Sequence, residues 1–379
     1  MEPDRPLDRR GRQAPAAGEE AIALLDQARE RTLALISHLQ PEALERSPDP
    51  IMSPPAWDLA HIAAYEDLWL CQRFGGLALL RTDLAEHYDA FAPPRAQRQQ
   101  LKGGFLDSSG ALDYMAAVRA RSRALLHARG PGDGKLLELV LRHELQHTET
   151  MRQTLALAGS LPPGEPPSLR MDDARSELSF TAFPGGEVEI GARPDGFAYD
   201  NERSRHRRRL APYAIATRPL CVADWQRFAQ GGGYRQRGLW SDEGWRWLAA
   251  QPSQRHPHSP PSGPECCLMH ISYHEAQAIA AFFSARLPSE AEWEHAAAAG
   301  ALCHRGLVWE WVADQFDRYP GFRADPYREY SEVFFARGYR VLRGSSWATH
   351  ERLKSVSFRN WDLPERRQIF AGARLARDL

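Results

Sequence analysis

His143 and His147 stand four residues apart in the run Leu141-Arg-His-Glu-Leu-Gln-His-Thr-Glu-Thr-Met151. On an α-helix that spacing places both imidazoles on one face, a turn apart, where they can reach a single ion. The pair constrains the chain twice: this segment must be helical, and another element must come alongside to complete a ligand set. Neutral imidazole suits zinc, iron, copper or nickel, so a transition metal is implied without being chosen. His143-Glu144-x-x-His147 also fits the HExxH pattern of zinc peptidases, in which the glutamate is the general base. A histidine pair on an ordinary surface or core face is the bland alternative.

Apolar residues recur at helical spacing from Glu19 to His38, and Gln40-Pro41 closes that segment. Ser53-Pro54-Pro55 opens a second helix, with Ser53 as its N-cap and the prolines in its first turn, and His61 lies in its middle. A third helix is predicted near Ala111–Ala128, and a fourth from Lys135 to Ala158 carries the histidine pair. Four helices of about 20 residues with one apolar face each predict a four-helix bundle, in which inward side chains on facing helices build metal sites. His61 can then join His143 and His147.

The chain of 379 residues is too long for one ordinary core, and two domains are expected. Residues 1–18 read as a disordered tail, 19–158 as the bundle, 159–179 as a Pro/Gly-rich linker and 180–379 as a second domain. In that second domain one clear helix is predicted, Tyr273 to Ala285, with strand-like runs at 186–190 and 339–342. A formal net charge of -1 disfavours nucleic acid and membrane surfaces as partners. The five scattered cysteines form neither a disulfide framework nor a CxxC metal pattern, which points to a reducing, cytoplasmic setting. No apolar run approaches a bilayer span, and the oligomeric state is not legible.

The segment Trp57-Asp58-Leu59-Ala60-His61-Ile62, with Glu66 and Leu68-Trp69, resembles the N-terminal motif of the ergothioneine-type sulfoxide synthases. His143, Gln146-His147 and Glu149-Thr150-Met151 resemble the second motif of that family, and Tyr88-Asp89-Ala90-Phe91 with Pro94-Arg95-Ala96-x-Arg98 resembles its substrate loop. Phe183-Pro-Gly-Gly186, Trp225-Gln-Arg-Phe228, Ala285 to Glu294, Val308-Trp-Glu-Trp-Val312 and Arg340 to Trp347 resemble the formylglycine-generating-enzyme domain, over roughly 180–379. The fold implied is α+β and multidomain: a DinB-like four-helix bundle followed by a C-type-lectin-like (sulfatase-modifying-factor) domain. One departure stands out. The family carries a long insert between its Glu-Trp-Glu helix and its Trp-Glu-Trp strand, and here only His295–Leu307 separate them. The cysteine pair that formylglycine-generating enzymes use for copper is not evident either, so that activity is not implied.

The resemblance implies an Fe(2+) enzyme with His61, His143 and His147 as ligands, which uses dioxygen to join the imidazole C2 of hercynine to a thiol and yields a sulfoxide. The closing run from Ser357 to Arg374 matches the family signature, and in the family it faces the metal bundle. Hercynine is a trimethylated histidine, and its quaternary ammonium cannot donate a hydrogen bond, so an aromatic face such as Trp361 suits it. By resemblance Asn360 and Gln146 supply donors to its carboxylate, Arg95 and Arg98 meet the acid side of the thiol donor, and Asp362 meets its amine. Tyr327, rather than Tyr330, is the expected proton donor to reduced oxygen, since a phenol stays protonated until that chemistry demands the proton. Cysteine and γ-glutamylcysteine remain alternative donors. The shortened second domain also fits a selenoneine synthase, which takes a seleno-sugar, whereas Arg95, Arg98 and Asp362 suit an amino-acid thiol, the preferred donor. A DinB-type thiol transferase, with the same bundle and three histidines, and a non-catalytic small-molecule binder are further alternatives.

Overall fold

The helical periodicity of the first half is realised as α1 (Ala14–Ile36), a one-turn α2 (Pro41–Leu44), α3 (Pro55–Glu66), α4 (Ser108–Arg129) and α5 (Lys135–Leu157). The computed structural model describes residues 14–85, 87–90, 98, 104–174, 177–251 and 263–379. It divides the chain into two units, 1–165 and 166–379. Residues 1–13, most of the expected tail, lie outside the described residues, as does Arg95.

Local chemistry explains the helix ends. Asp107 precedes α4 and accepts from the Gly110 amide at 2.7 Å, while Gly134, in the left-handed region at φ 78°, launches α5. Ser53 is not the cap of α3: that position is taken by Pro54, which offers no side-chain acceptor, and Pro55 enters the first turn where no amide is required. Beyond Glu66 the helix widens into a π-helical stretch, Asp67–Phe74, and the Gly75 amide reaches the Leu70 carbonyl five residues back.

Leu35, Ile36, Trp57, Leu59, Ile62, Met115, Val118, Met151 and Leu155 interlock as an apolar core of the bundle. Beside that core lies a closed knot of charge. Arg29 of α1, Glu66 of α3, Arg119 of α4 and Glu144 of α5 meet in the interior, one from each long helix. Arg29 donates to Glu144 at 2.8 Å and to Glu66 at 2.9 Å, and Arg119 donates to Glu66 at 2.9 and 3.0 Å and to Glu144 at 3.2 Å. Two positive and two negative side chains cancel, which lets them be buried together.

The second unit is α+β. Its strands form three sheets: β1 (Phe180–Phe183), β4 (Tyr213–Ala216) and β9 (Ala376–Asp378) in the order β1-β4-β9; a β2 (Gly186–Ile190) and β3 (His206–Leu210) ribbon; and a four-stranded sheet. That larger sheet has the order β7-β6-β5-β8, from β7 (Asn360–Asp362), β6 (Arg340–Gly344), β5 (Trp309–Gln315) and β8 (Ala371–Ala373), with β5 and β8 parallel. Four helices are present where one was clear from the sequence: α6 (Val222–Gln230), α7 (Asp242–Ala249), α8 (Tyr273–Phe282) and α9 (Glu290–Ala298). Apart from α8, each lasts about two turns, too short for a helical period to stand out from the surrounding pattern. Tyr213, Ile215, Trp293, Val312, Phe316, Phe335 and Val341 pack as the core, with Trp361 of β7 against it.

Candidate metal centre

Trp57, His61 and Tyr65 follow one another at four-residue intervals along α3, and His143 and His147 do so along α5. These two facing stripes bring the three imidazoles together, with ligand atoms that all lie within 4.8 Å of one another. The His61 and His143 Nε2 atoms are 3.1 Å apart. An ion with bonds of about 2.0–2.2 Å to nitrogen would hold neighbouring ligand atoms about 3 to 3.5 Å apart, close to the separation of this pair.

What each ring touches decides which nitrogen carries the proton. His61 Nδ1 lies 2.6 Å from the Tyr88 carbonyl, which can only accept, so Nδ1 holds the hydrogen and Nε2 keeps a lone pair. His147 Nδ1 lies 2.9 Å from Asp58 Oδ1 and is fixed in the same tautomer. His143 has no such partner: its buried Nδ1 is without a hydrogen bond among the described residues, and its ring is held by stacking on Tyr65, centroids 3.6 Å apart at 7°. Burial first, then the neighbouring His147, holds His61 and His143 well below the ordinary imidazole range, so both rings are neutral. With its hydrogen on Nε2, His143 donates to His61 Nε2 at 3.1 Å, and with it on Nδ1 both Nε2 lone pairs are free to face a cation. The donor set therefore fits a transition metal held by three imidazoles, with positions left for exogenous ligands.

Around this cluster Trp57 stacks on His61, centroids 4.8 Å apart, and the guanidinium of buried Arg98 lies 4.3 Å over Trp57 while donating to the Ala90 carbonyl. Gln146 is half-buried on α5. Glu144 faces elsewhere. It is 1 % exposed and bound by Arg29 and Arg119, so it cannot serve as the general base that the HExxH reading requires.

In the second unit Asn360, Trp361 and Asp362 form edge strand β7. Trp361 stacks on Phe316 with centroids 4.1 Å apart, and Tyr330 meets it edge-on at 5.8 Å. Tyr327 lies 6.3 Å from Tyr330, which itself stacks on Tyr199. Asp362 accepts from the Leu363 amide and from Gln368 Nε2. The residues around the histidines that sequence reasoning passed over are Asp58, Tyr65 and the Tyr88 carbonyl. Asp58 carried a usable signal, because a carboxylate three residues before a ligand shares its helical face.

Fold and centre together define a class: a DinB-type bundle with a three-histidine metal site, joined to a sulfatase-modifying-factor domain. Residues 24–151 match the DinB superfamily, and residues 168–305 and 304–379 match the sulfatase-modifying factor enzyme 1-like domain. Hercynine oxygenase of Mycolicibacterium thermoresistibile is 36% identical over 442 positions, covering 96% of each chain, and that of Mycobacterium tuberculosis is 34% identical, covering 95% of this chain and 99% of its own. Ergothioneine biosynthesis protein 1 of Neurospora crassa is 37% identical over 76 residues, 20% of this chain and 9% of its own. The chain belongs to the hercynine oxygenase family and is an oxidoreductase. The match to the sulfatase-modifying domain comes in two pieces that abut at 304–305, and the 442-position alignment exceeds the 379 residues of this chain. The break in the domain match falls between α9 and β5.

Proposed function

We propose that this protein is an Fe(2+)- and dioxygen-dependent enzyme that joins the imidazole C2 of hercynine to the sulfur of cysteine or γ-glutamylcysteine, in an ergothioneine-type pathway. The observation that carries this reading is the convergence of His61, His143 and His147, whose ligand atoms all lie within 4.8 Å of one another. Overall, the thiol S–H and the imidazole C–H give way to a C–S bond, one oxygen atom ends on sulfur, and the other leaves as water. His61, His143 and His147 would hold ferrous iron, which would supply the electron-transfer chemistry that lets dioxygen react.

The protein's own side chains bind, orient and move protons. Trp361 offers the trimethylammonium group an aromatic face, and Asn360 and Gln146 donate to the hercynine carboxylate. Arg95 and Arg98 receive the carboxylate of the thiol donor and Asp362 its ammonium. The support for Arg98 is its fixed place over Trp57, beside the metal-binding face of α3. Tyr327 delivers a proton to the reduced oxygen. No helix among the described residues is long and apolar enough to cross a membrane, and the free cysteines support a cytoplasmic setting.

A second reading changes only the donor. The short stretch between α9 and β5, where the domain match breaks, supports a seleno-sugar donor, which would make the product a selenoneine-type compound. One experiment separates the readings. Purified protein loaded anaerobically with Fe(2+) is given hercynine and each donor in turn, with oxygen uptake and product mass recorded. Uptake with cysteine or γ-glutamylcysteine and a sulfoxide product supports the first reading, and turnover with the seleno-sugar alone replaces it with the second. No hercynine-dependent oxygen uptake with any donor rejects both. His147→Ala is expected to lower turnover by at least about 10³-fold through loss of the ion.

A further inference from the structure

Asp58 is buried at 2 % exposure, yet its surroundings differ from those of the other acidic residues inside the bundle. Oδ1 is 2.9 Å from His147 Nδ1, Oδ2 has no hydrogen-bond partner, and no arginine or lysine among the described residues pairs with it. Among the described residues that carboxylate is compensated only through the His147 ring, which pairs with it as an imidazolium when it is protonated. The balance changes when the far nitrogen of that imidazole binds a divalent cation, because the ring then carries part of the positive charge and donates a stronger hydrogen bond.

The three ligands differ in this respect. His61 is aimed by the neutral carbonyl of Tyr88 and His143 by stacking on Tyr65, so His147 alone is aimed by a charged group. We propose that Asp58 is the positioning and charge-balancing residue of the metal centre, which holds His147 with Nε2 turned to the ion and whose own buried charge is compensated when a divalent cation is bound. The inference rests on reading the three histidines as a metal site. It implies that Asp58 supports the loaded protein more than the metal-free one.

The test measures metal binding and unfolding rather than turnover. Full-length wild type, Asp58→Asn, Asp58→Ala and His147→Ala are titrated anaerobically with Fe(2+) or Co(2+), and each is melted with and without the ion. Asp58→Ala is expected to weaken binding by about 10–100-fold. Asp58→Asn, which keeps an acceptor of the same shape, should weaken it less. The rise in melting temperature on adding metal should be smaller for Asp58→Asn than for wild type. Affinities within about threefold of wild type for both variants would overturn the proposal, as would an equal drop in melting temperature with and without metal, the mark of an ordinary structural bond. If Asp58→Ala does not fold, the Asn variant carries the comparison. If wild type and His147→Ala both bind no ion, the metal-site reading itself fails and the proposal falls with it. If His147→Ala alone loses the ion while Asp58→Asn matches wild type in affinity and in its melting shift, the metal site stands and only the role of Asp58 is lost.

Discussion

Two kinds of buried carboxylate occur in this protein, and the contrast separates what holds it together from what it uses. Glu66 and Glu144 are each held by both Arg29 and Arg119, in an electroneutral group drawn from four helices. Burial would push the Glu66 carboxyl up, but Arg119 and Arg29 outweigh it and hold it below the usual carboxylate range. Asp58 and Asp200 have no arginine among the described residues. Asp200 is bound by the Ser331 hydroxyl at 2.7 Å, and burial pushes its carboxyl up to about 6 against that help. The arginine-paired group is finished by the fold. The arginine-free residues lean on weaker partners, the His147 ring for Asp58 and the Ser331 hydroxyl for Asp200.

The contrast is sharpest on α5, where His143 and Glu144 are neighbours in sequence and face different surroundings. Glu144→Ala would leave Arg29 and Arg119 buried with one carboxylate fewer, which should destabilise the bundle by about 3–5 kcal/mol in urea unfolding. Metal binding in the remaining folded protein should persist, because the histidine face is untouched. A peptidase base would give the reverse, a stable protein with lost activity. An unchanged unfolding midpoint would show that the charged group contributes nothing and would erase the distinction drawn here.

Asp200 gives a smaller effect, tied to pH. Its folded pKa of about 6 lies above the ordinary aspartate value of 3.8. The folded state therefore binds the proton more tightly than the unfolded state does, and stability falls as pH rises. The contribution is complete below about pH 4 and is lost as pH passes through about 6, a change of no more than about 3 kcal/mol. Asp314 is also pushed up to about 6 by burial and titrates over the same interval, so Asp200→Asn should reduce the slope of the second unit and Asp200→Asn with Asp314→Asn should flatten it. If the slope is unchanged in Asp200→Asn, other groups are responsible and Asp200 leaves the arginine-free class.

Much of this arrangement was legible in the chain itself, and the reason is periodicity. Helical spacing pairs His143 with His147, whereas His61 was expected to join them chiefly through the resemblance of its segment to the family motif. The charged group was not legible: Arg29, Glu66, Arg119 and Glu144 are far apart in sequence, and none differs by type or spacing from a solvated surface residue. The same holds for the Tyr88 carbonyl, a backbone atom that no side-chain pattern announces. In the second unit α6 and α7 were missed because two turns of helix carry too few apolar repeats, whereas β2 and β6 were visible as runs of strand-forming residues.

The smallest expected effect tests how redundant the closed group is. Thr32 is fully buried, and its Oγ1 lies 2.9 Å from Glu144 Oε1 and 3.1 Å from the Ala28 carbonyl. A hydroxyl has one proton and can serve only one of these acceptors at a time, while Arg29 already donates to the same Oε1 at 2.8 Å. Thr32→Val, close in shape, should therefore cost about 1 kcal/mol in urea unfolding, well below the cost of Glu144→Ala. A double-mutant cycle with Glu144→Ala isolates the hydroxyl–carboxylate contact. A loss for Thr32→Val as large as that for Glu144→Ala would mean that the arginines do not hold this carboxylate by themselves, and that the contrast between arginine-paired and arginine-free carboxylates is drawn in the wrong place.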